Sequence, residues 1–233
     1  MISYFSQANA MYWIIAIAAM LAGLIAQYML RKRFKEYGQI PLHNGMSGKD
    51  VAEKMLRDNG IFDVKVLSVG GQLSDHYNPA NKTVNLSAEV YEGRSVAAAA
   101  VAAHECGHAV QHATAYQWLN FRSKIVPVVQ VSSSYMQWIL LIGFFTLRYT
   151  PIPLFIGILL YGITTLFSII TLPVEFDASN RGLAWLDSSR ITLGEEHDKA
   201  KSALRWAAST YVIAAISSLA MLLYYIGIFS RRR

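Results

Sequence analysis

Four long runs without a charged residue constrain this chain more than any other feature. They cover residues 11–30, 125–147, 152–172 and 206–229. A helix needs roughly 20 apolar residues to cross a hydrocarbon core about 30 Å thick. A helix buried in a soluble core would rarely extend so far without a polar stripe. The runs therefore predict four transmembrane helices, and a charged content of only 15% agrees with this prediction.

The first run is expected to be an uncleaved anchor rather than a signal peptide. Residues 1–10 contain no Lys or Arg, whereas a secretory signal peptide starts with a positively charged region. The run is also longer than the apolar part of a typical signal peptide. Basic residues 31–33 follow it directly.

Basic residues flank the apolar runs at residues 31–35, Arg122, Lys124 and residues 199–205. An excess of Lys and Arg marks cytoplasmic segments, so residues 31–124 and 173–205 are expected on the cytoplasmic side of the plasma membrane. The net charge of +6 is then explained by membrane flanks, and we expect no nucleic-acid partner. Three arginines at the end of the chain favour the opposite orientation. Two crossings separate the polar segments, so both lie on one side in either case.

The polar segment after the first run predicts a small α+β arrangement. Ser47 followed by Asp50 indicates a capping box that opens a helix through about residue 58. Residues 63–69 and 82–86 are short β-prone runs separated by turn-rich sequence. From Ser95 an alanine-rich run predicts a helix to about residue 120.

This alanine-rich helix contains His104, Glu105 and His108, an H-E-x-x-H pattern. Four residues on an α-helix rise about 6 Å and turn about 400°, so the two imidazoles project from one face and can bind one Zn²⁺. Glu105 lies one position further round, where its carboxylate can remove a proton from an attacking water. The pattern predicts zinc-dependent hydrolysis with Glu105 as the general base.

The residues around this pattern supply no third ligand. His112 lies about 12 Å along the helix axis from His104, too far to join the same ion, and is expected to support a ligand from outside or to lie at the surface. Cys106, the single cysteine, is expected to be a small buried side chain. Residue 114, where a metzincin would have its third histidine, is a threonine.

Carboxylates that follow the pattern on the same membrane side are Glu175, Asp177, Asp187, Glu195, Glu196 and Asp198. Pro173 is expected to begin a helix at its first position. On such a helix Asp177 can pair with Arg181 at i, i+4 spacing. Spacing alone does not choose between Glu175 and Asp177 as the third ligand.

Three stretches carry a resemblance to a known family: AAHECGHAVQH at residues 102–112, LSDHYNP at residues 73–79 and VEFDASNR at residues 174–181. Over nearly its whole length the chain resembles the YugP-like membrane zinc metallopeptidases of bacteria. It is more distantly similar to the HtpX-like and CAAX prenyl protease superfamily, gluzincins whose third ligand is a glutamate on a later helix. The resemblance implies Glu175 as that ligand. Ser179 stands where these proteins usually have aspartate, and its hydroxyl would support a ligand more weakly.

Gluzincins that this chain resembles commonly add the substrate peptide to an edge strand. Residues 82–87 are the candidate, because Val84 and Leu86 alternate with Thr83 and Asn85 as in a strand with one wet face. The alternative is an ordinary hairpin strand.

The tetrahedral oxyanion also needs a hydrogen-bond donor besides zinc. His76, Tyr77 and His197 are candidates. His76 and Tyr77 are favoured because their turn-rich loop lies next to the presumed strand.

Together these features predict a mostly α membrane protein with about four transmembrane helices and a small α+β, zincin-like cytoplasmic catalytic domain. The expected segments are an anchor (1–30), a catalytic segment (31–124), a transmembrane hairpin (125–172), a cytoplasmic segment with the third ligand (173–205) and a last span (206–233). Only one to two residues separate the third run from Glu175, so membrane or juxtamembrane proteins are the expected substrates. The alternative is that the last three runs serve only as an anchor. The oligomeric state is not predicted.

Two alternatives to a zinc metalloendopeptidase remain. A non-catalytic, zinc-stabilised membrane scaffold or adaptor would bind the metal but would not need Glu105. A small transporter or channel is disfavoured by the absence of charged residues inside the apolar runs.

Overall fold

A computed structural model describes residues 2–230, with side chains from residue 10 onwards. Its described residues form seven helices: α1 (Ile2–Tyr37), α2 (Gly48–Asp58), α3 (Ala88–Tyr91), α4 (Val96–Ala113), α5 (Gln117–Thr146), α6 (Ile152–Ser188) and α7 (Glu195–Ser230). The strands are β1 (Lys65–Val69), β2 (His76–Asn78) and β3 (Thr83–Ser87). The chain is therefore mostly helical with one small sheet.

Four of these helices are long and apolar enough to cross a membrane: α1 from Ala10 onwards, α5, α6 and α7. Each of them exposes several large apolar side chains. Trp13, Trp138 and Ile216, for example, are each more than 60% exposed. Such surface is unfavourable in water and suits contact with lipid tails. The four apolar runs of the sequence thus correspond to four candidate membrane-spanning helices, as predicted.

Each of the last three of these helices extends beyond its apolar run. α6 continues from residue 152 through Pro173 to Ser188, so the prediction that a helix begins at Pro173 is wrong. Proline lacks a backbone N–H and is unfavourable inside soluble helices. Helices that span membranes tolerate an interior proline more readily. Pro173 directly follows such an apolar segment and lies inside α6, not at the first turn of a new helix.

The chain divides into two compact units. One, the helical unit, comprises residues 2–25, 121–172 and 210–230 among those described. The other, the sheet unit, comprises residues 26–120 and 173–209. The sheet unit contains all three strands, α2, α3 and α4.

The sheet has the order β1-β3-β2, so β3 is its central strand. β3 pairs in parallel with β1, from Lys65 opposite Thr83 onwards, and antiparallel with β2, where Tyr77 lies opposite Val84. The prediction of an edge strand at Thr83, Val84, Asn85 and Leu86 is therefore wrong. All residues of β3 are buried, and the polar ones are satisfied internally, since Asn85 Nδ2 donates to Thr83 Oγ1 at 2.9 Å. The alternation that suggested a wet face reflects polar side chains that hydrogen-bond to each other.

Helix α2 begins as the sequence predicts. Ser47 is its N-cap, and both halves of the capping box with Asp50 are present. Val51, Ala52, Met55 and Leu56 form its buried face. They share a core with Val84 and Leu86 of β3 and with the alanines of α4.

Helix α4 begins after Ser95, whose side chain accepts a hydrogen bond from Ala98 N. It ends at Ala113, earlier than the predicted end near residue 120, because Ala115 adopts a positive φ of 53° and breaks the helix. Fifteen of its 18 residues are buried. Small alanine side chains dominate this helix, so neighbouring backbone can approach it closely.

Candidate metal centre

His104 and His108 lie one turn apart on α4, and Glu175 lies on α6. The distance from Glu175 Oε2 is 3.4 Å to His104 Nε2 and 3.6 Å to His108 Nε2. One ligand atom from each of the three residues lies within 4.8 Å of the other two. Glu175 and His108 are buried and His104 is half-buried. The three side chains therefore converge on a single point inside the sheet unit.

Two glycines allow the helices that carry the three converging residues to approach each other. A β-carbon on Gly107 would stand 2.3 Å from the carbonyl oxygen of Ala178, and one on Gly182 would stand 2.9 Å from the carbonyl of Ala103. Neither position has room for a side chain. This close contact between α4 and α6 brings Glu175 within reach of both imidazoles.

The donor atoms fit a zinc ion. Two imidazoles and one carboxylate form a common catalytic zinc set that leaves a coordination position open. The outward nitrogen of each imidazole is engaged: His104 Nδ1 lies 3.0 Å from Ser179 Oγ, and His108 Nδ1 lies 3.0 Å from Gln111 Oε1. A hydrogen bond at Nδ1 directs Nε2 towards a metal.

The electrostatics of the centre also favour a cation. Burial by itself lowers the pKa of His108, because the charged form loses solvation. The hydrogen bond with Glu175 and the charges of Glu105 and Glu175 outweigh this effect, so the pKa of His108 lies above its ordinary value. The carboxylates thus create a local negative potential that attracts positive charge.

Glu105 is buried beside these ligands but is not one of the three converging groups. Its Oε2 accepts a hydrogen bond from the backbone N–H of Tyr77 at 3.0 Å. Tyr77 belongs to β2, an outer strand of the sheet. The Glu105 carboxylate is therefore hydrogen-bonded to the backbone of an edge strand.

The other candidates near β2 are Tyr77, His112 and His76, and their described contacts are with each other or with neighbouring residues of the sheet and its loop. The Tyr77 hydroxyl lies 2.8 Å from His112 Nδ1, so the described contact of His112 is with Tyr77 and not with a ligand. His76 is exposed; its Nδ1 donates to Ser74 O at 2.8 Å, and its Nε2 lies 3.2 Å from Asn85 Nδ2. His197 contacts Thr192 Oγ1 at 3.1 Å.

The geometry separates the two carboxylates that spacing could not distinguish. Glu175 belongs to the converging group, whereas Asp177 accepts a hydrogen bond from Arg181 Nε, the i, i+4 pairing that the sequence predicts. Cys106 is fully buried and donates to Ala52 O at 3.5 Å. Burial raises the pKa of the Cys106 thiol, in agreement with its predicted role as a small buried side chain.

Sequence reasoning assigned no role to Gln111, which contacts a ligand directly. Its position three residues after His108 places both on one face of α4. This spacing is a signal that could have identified it.

The comparisons with known proteins agree with this geometry. Residues 12–230 match the family described as "Putative neutral zinc metallopeptidase". The chain is 39% identical over 219 residues to the "Putative membrane protease YugP" of Bacillus subtilis (strain 168), covering 94% of this chain and 96% of that relative. No solved structure matches the chain significantly. This chain therefore belongs to the family of neutral zinc metallopeptidases that the matched family model describes.

Proposed function

We propose that the chain is a gluzincin-type membrane metalloendopeptidase, with His104, His108 and Glu175 as zinc ligands and Glu105 as general base. The observation that supports this most directly is the convergence of both Nε2 atoms and Glu175 Oε2 on one point. When bound there, zinc supplies a Lewis acid that polarises a carbonyl group and makes water more acidic. Family membership independently supports zinc and peptidase chemistry.

Glu105 moves the proton in this proposal. Its backbone contact with Tyr77 holds Oε2, so the carboxylate has a fixed orientation before substrate arrives. The other oxygen accepts the proton of the attacking water and later donates it to the leaving amine. A purely structural zinc site would not need a buried carboxylate at this position, which disfavours the scaffold alternative.

The outer edge of β2 is the proposed binding surface for the peptide backbone. β2 pairs with β3 along one edge only, and the N–H of Tyr77 points away from β3 towards Glu105. An extended peptide beside this edge would hydrogen-bond to main-chain groups that Glu105 does not occupy, and it would present its carbonyl groups near Glu105. Backbone pairing of this kind gives affinity with little sequence selectivity.

The Tyr77 hydroxyl is the favoured donor to the oxyanion. Burial, and next the charge of Asp63, raise the pKa of Tyr77, so the phenol keeps its proton at neutral pH. A protonated Nδ1 of His112 would donate to the Tyr77 oxygen, which leaves the hydroxyl proton available for the oxyanion. His76 is less suited because both of its ring nitrogens are already engaged.

The proposed substrates are membrane proteins or their segments next to the bilayer, cleaved on the cytoplasmic side. Glu175 follows the third apolar run, residues 152–172, on the same helix. A ligand so close in sequence to a spanning segment favours substrates at the membrane surface. The basic flanks of the apolar runs support the cytoplasmic orientation.

The test compares membranes that carry the wild-type chain with membranes that carry Glu105→Gln. The variant should retain zinc and lose cleavage, so proteins that accumulate only with the variant are candidate substrates. Glu53→Gln is a matched control, since Glu53 is a surface carboxylate in exposed ion pairs on α2. Cleavage by the Glu105→Gln variant at the wild-type rate would refute the enzymatic role of Glu105.

A further inference from the structure

Gln111 connects the two helices that carry the zinc ligands. Its side chain is fully buried on α4. Its Oε1 lies 3.0 Å from His108 Nδ1. Its Nε2 donates to two atoms on α6, the Val174 carbonyl at 2.7 Å and Asp177 Oδ2 at 2.8 Å. A buried amide with all these contacts is costly to replace by an apolar side chain of the same size.

The partners on α6 determine which way the Gln111 amide faces. A peptide carbonyl can only accept, so the contact with Val174 O at 2.7 Å requires an N–H donor from Gln111. Asp177 Oδ2, which also accepts a hydrogen bond from Arg181 Nε, lies 2.8 Å from the same nitrogen. The NH₂ end of Gln111 must therefore face α6, and its oxygen must face His108.

This orientation settles the tautomer of His108. An amide oxygen cannot donate, so the contact at 3.0 Å requires a proton on His108 Nδ1. In the neutral imidazole the other nitrogen, Nε2, then carries the lone pair. Nε2 is the atom that faces Glu175.

The second histidine has no equivalent partner. His104 Nδ1 lies against the hydroxyl of Ser179, which can either donate or accept. That contact is compatible with both tautomers. Among the described contacts of the two histidines, the one from Gln111 alone therefore fixes a tautomer.

We propose that Gln111 is a positioning residue that presents Nε2 of His108 to zinc, and that Asp177 orients Gln111. The inference rests on the ligand set of the proposed function. It assigns the two neighbouring carboxylates of α6 different tasks: Glu175 binds the metal, and Asp177 controls a ligand on the other helix. Neither Gln111 nor Asp177 touches substrate in this scheme.

The first experiment measures zinc affinity by chelator competition on the full-length protein in detergent. Gln111→Met keeps the volume of the side chain and removes its hydrogen bonds. It should bind zinc about 10–100-fold more weakly than the wild type, the usual effect of removing a partner of a metal ligand. Thermal unfolding of the metal-free protein identifies any general loss of structure. Wild-type affinity in a folded Gln111→Met protein would overturn the inference.

The second experiment tests the contact between positions 111 and 177 by a double substitution. The Val174 carbonyl lacks its donor in both the single and the double variant, so their comparison isolates that contact. Gln111→Glu alone places a carboxylate against Asp177 and should also weaken zinc binding. Adding Asp177→Asn supplies an amide at position 177 that donates to the new carboxylate, which still accepts from His108 Nδ1. The double variant should bind zinc at least about tenfold more tightly than Gln111→Glu. Affinity no better than that of the single variant would contradict the proposed hydrogen-bond order.

These measurements do not depend on turnover. A protein that cleaves nothing but shows the Gln111-dependent zinc affinity would refute the peptidase proposal and keep the positioning role. Unchanged zinc affinity in His104→Ala would refute the ligand set and the positioning role together.

Discussion

Gly107 of α4 faces the backbone of Ala178 of α6 so closely that a β-carbon on the glycine would stand 2.3 Å from the Ala178 carbonyl oxygen. Gly107 lies immediately before His108, and Ala178 lies three residues after Glu175. The contact therefore lies close to His108 on α4 and to Glu175 on α6, two of the three proposed ligands. The distance between the two helices at this contact determines how closely these two side chains can approach each other.

Gly107→Ala should disturb both stability and zinc binding. Backbone at the contact point must move, and overpacking of this kind costs about 1–3 kcal/mol. Thermal unfolding and chelator competition measure the two effects. Gly162→Ala on α6 is the matched control, because a β-carbon there has nothing within 4 Å. A Gly107→Ala protein with wild-type stability and zinc affinity would show that the helices adjust freely.

Ser179→Ala should weaken zinc binding by about tenfold, because it removes the hydroxyl partner of His104 Nδ1. Ser179→Asp should bind zinc at least as tightly as the wild type, since a carboxylate accepts a hydrogen bond from Nδ1 more strongly than a hydroxyl does. Chelator competition distinguishes the two variants. If Ser179→Ala binds zinc like the wild type, the hydroxyl has no supporting role.

Tyr77→Phe should lower kcat by about a hundredfold and leave KM nearly unchanged, because an oxyanion donor acts mainly in the transition state. The backbone N–H that holds Glu105 remains in this variant, so zinc content should not change. Steady-state kinetics on a peptide substrate provide the measurement. Unaltered kcat would exclude the Tyr77 hydroxyl as the donor and favour His76 instead.

Ser47→Ala should reduce the free energy of unfolding by about 1 kcal/mol at neutral pH through loss of the N-cap of α2. Hydrogen bonds from the backbone and then the side chain of Ser47 lower the pKa of Asp50. A carboxyl group whose pKa is lower in the folded than in the unfolded protein stabilises the fold. This stabilisation is fully present above the unfolded-state pKa of about 4, and it is lost as the pH falls through the folded-state pKa.

The stability difference between Ser47→Ala and the wild type should therefore shrink on acidification below about pH 4. Denaturant titrations of both proteins at several pH values test this. A difference that stays constant or grows at low pH would contradict the role of the ionised Asp50 carboxylate.

Some parts of this molecule could be predicted from local pattern and others could not. The four apolar runs and the α2 capping box depend on neighbouring residues only, and both predictions are confirmed. The pair His104 and His108 is likewise fixed by helical spacing, and the zinc prediction agrees with the converging group and the family.

The order of strands depends on pairings between distant segments, so alternation in residues 83–87 could not show that β3 lies in the centre. In the sequence alone, polar residues such as Thr83 and Asn85 suggest that one face of the strand contacts solvent. In the structure they are buried and hydrogen-bonded to each other. Helical spacing could have paired Gln111 with His108, but the contacts of Gln111 on α6 could not be predicted for a similar reason. Its partners lie more than 60 residues away on α6, and a lone glutamine on an alanine-rich helix carries no signal of them.

The unbroken course of α6 joins two features of the chain through helical register. The same helix contains the apolar residues 152–172 and Glu175 of the candidate metal centre. One residue inserted between positions 172 and 175 would displace Glu175 by about 1.5 Å along the helix axis and by about 100° around it, relative to the apolar residues. A change of length in this short connection should therefore disturb the centre more than a substitution there does.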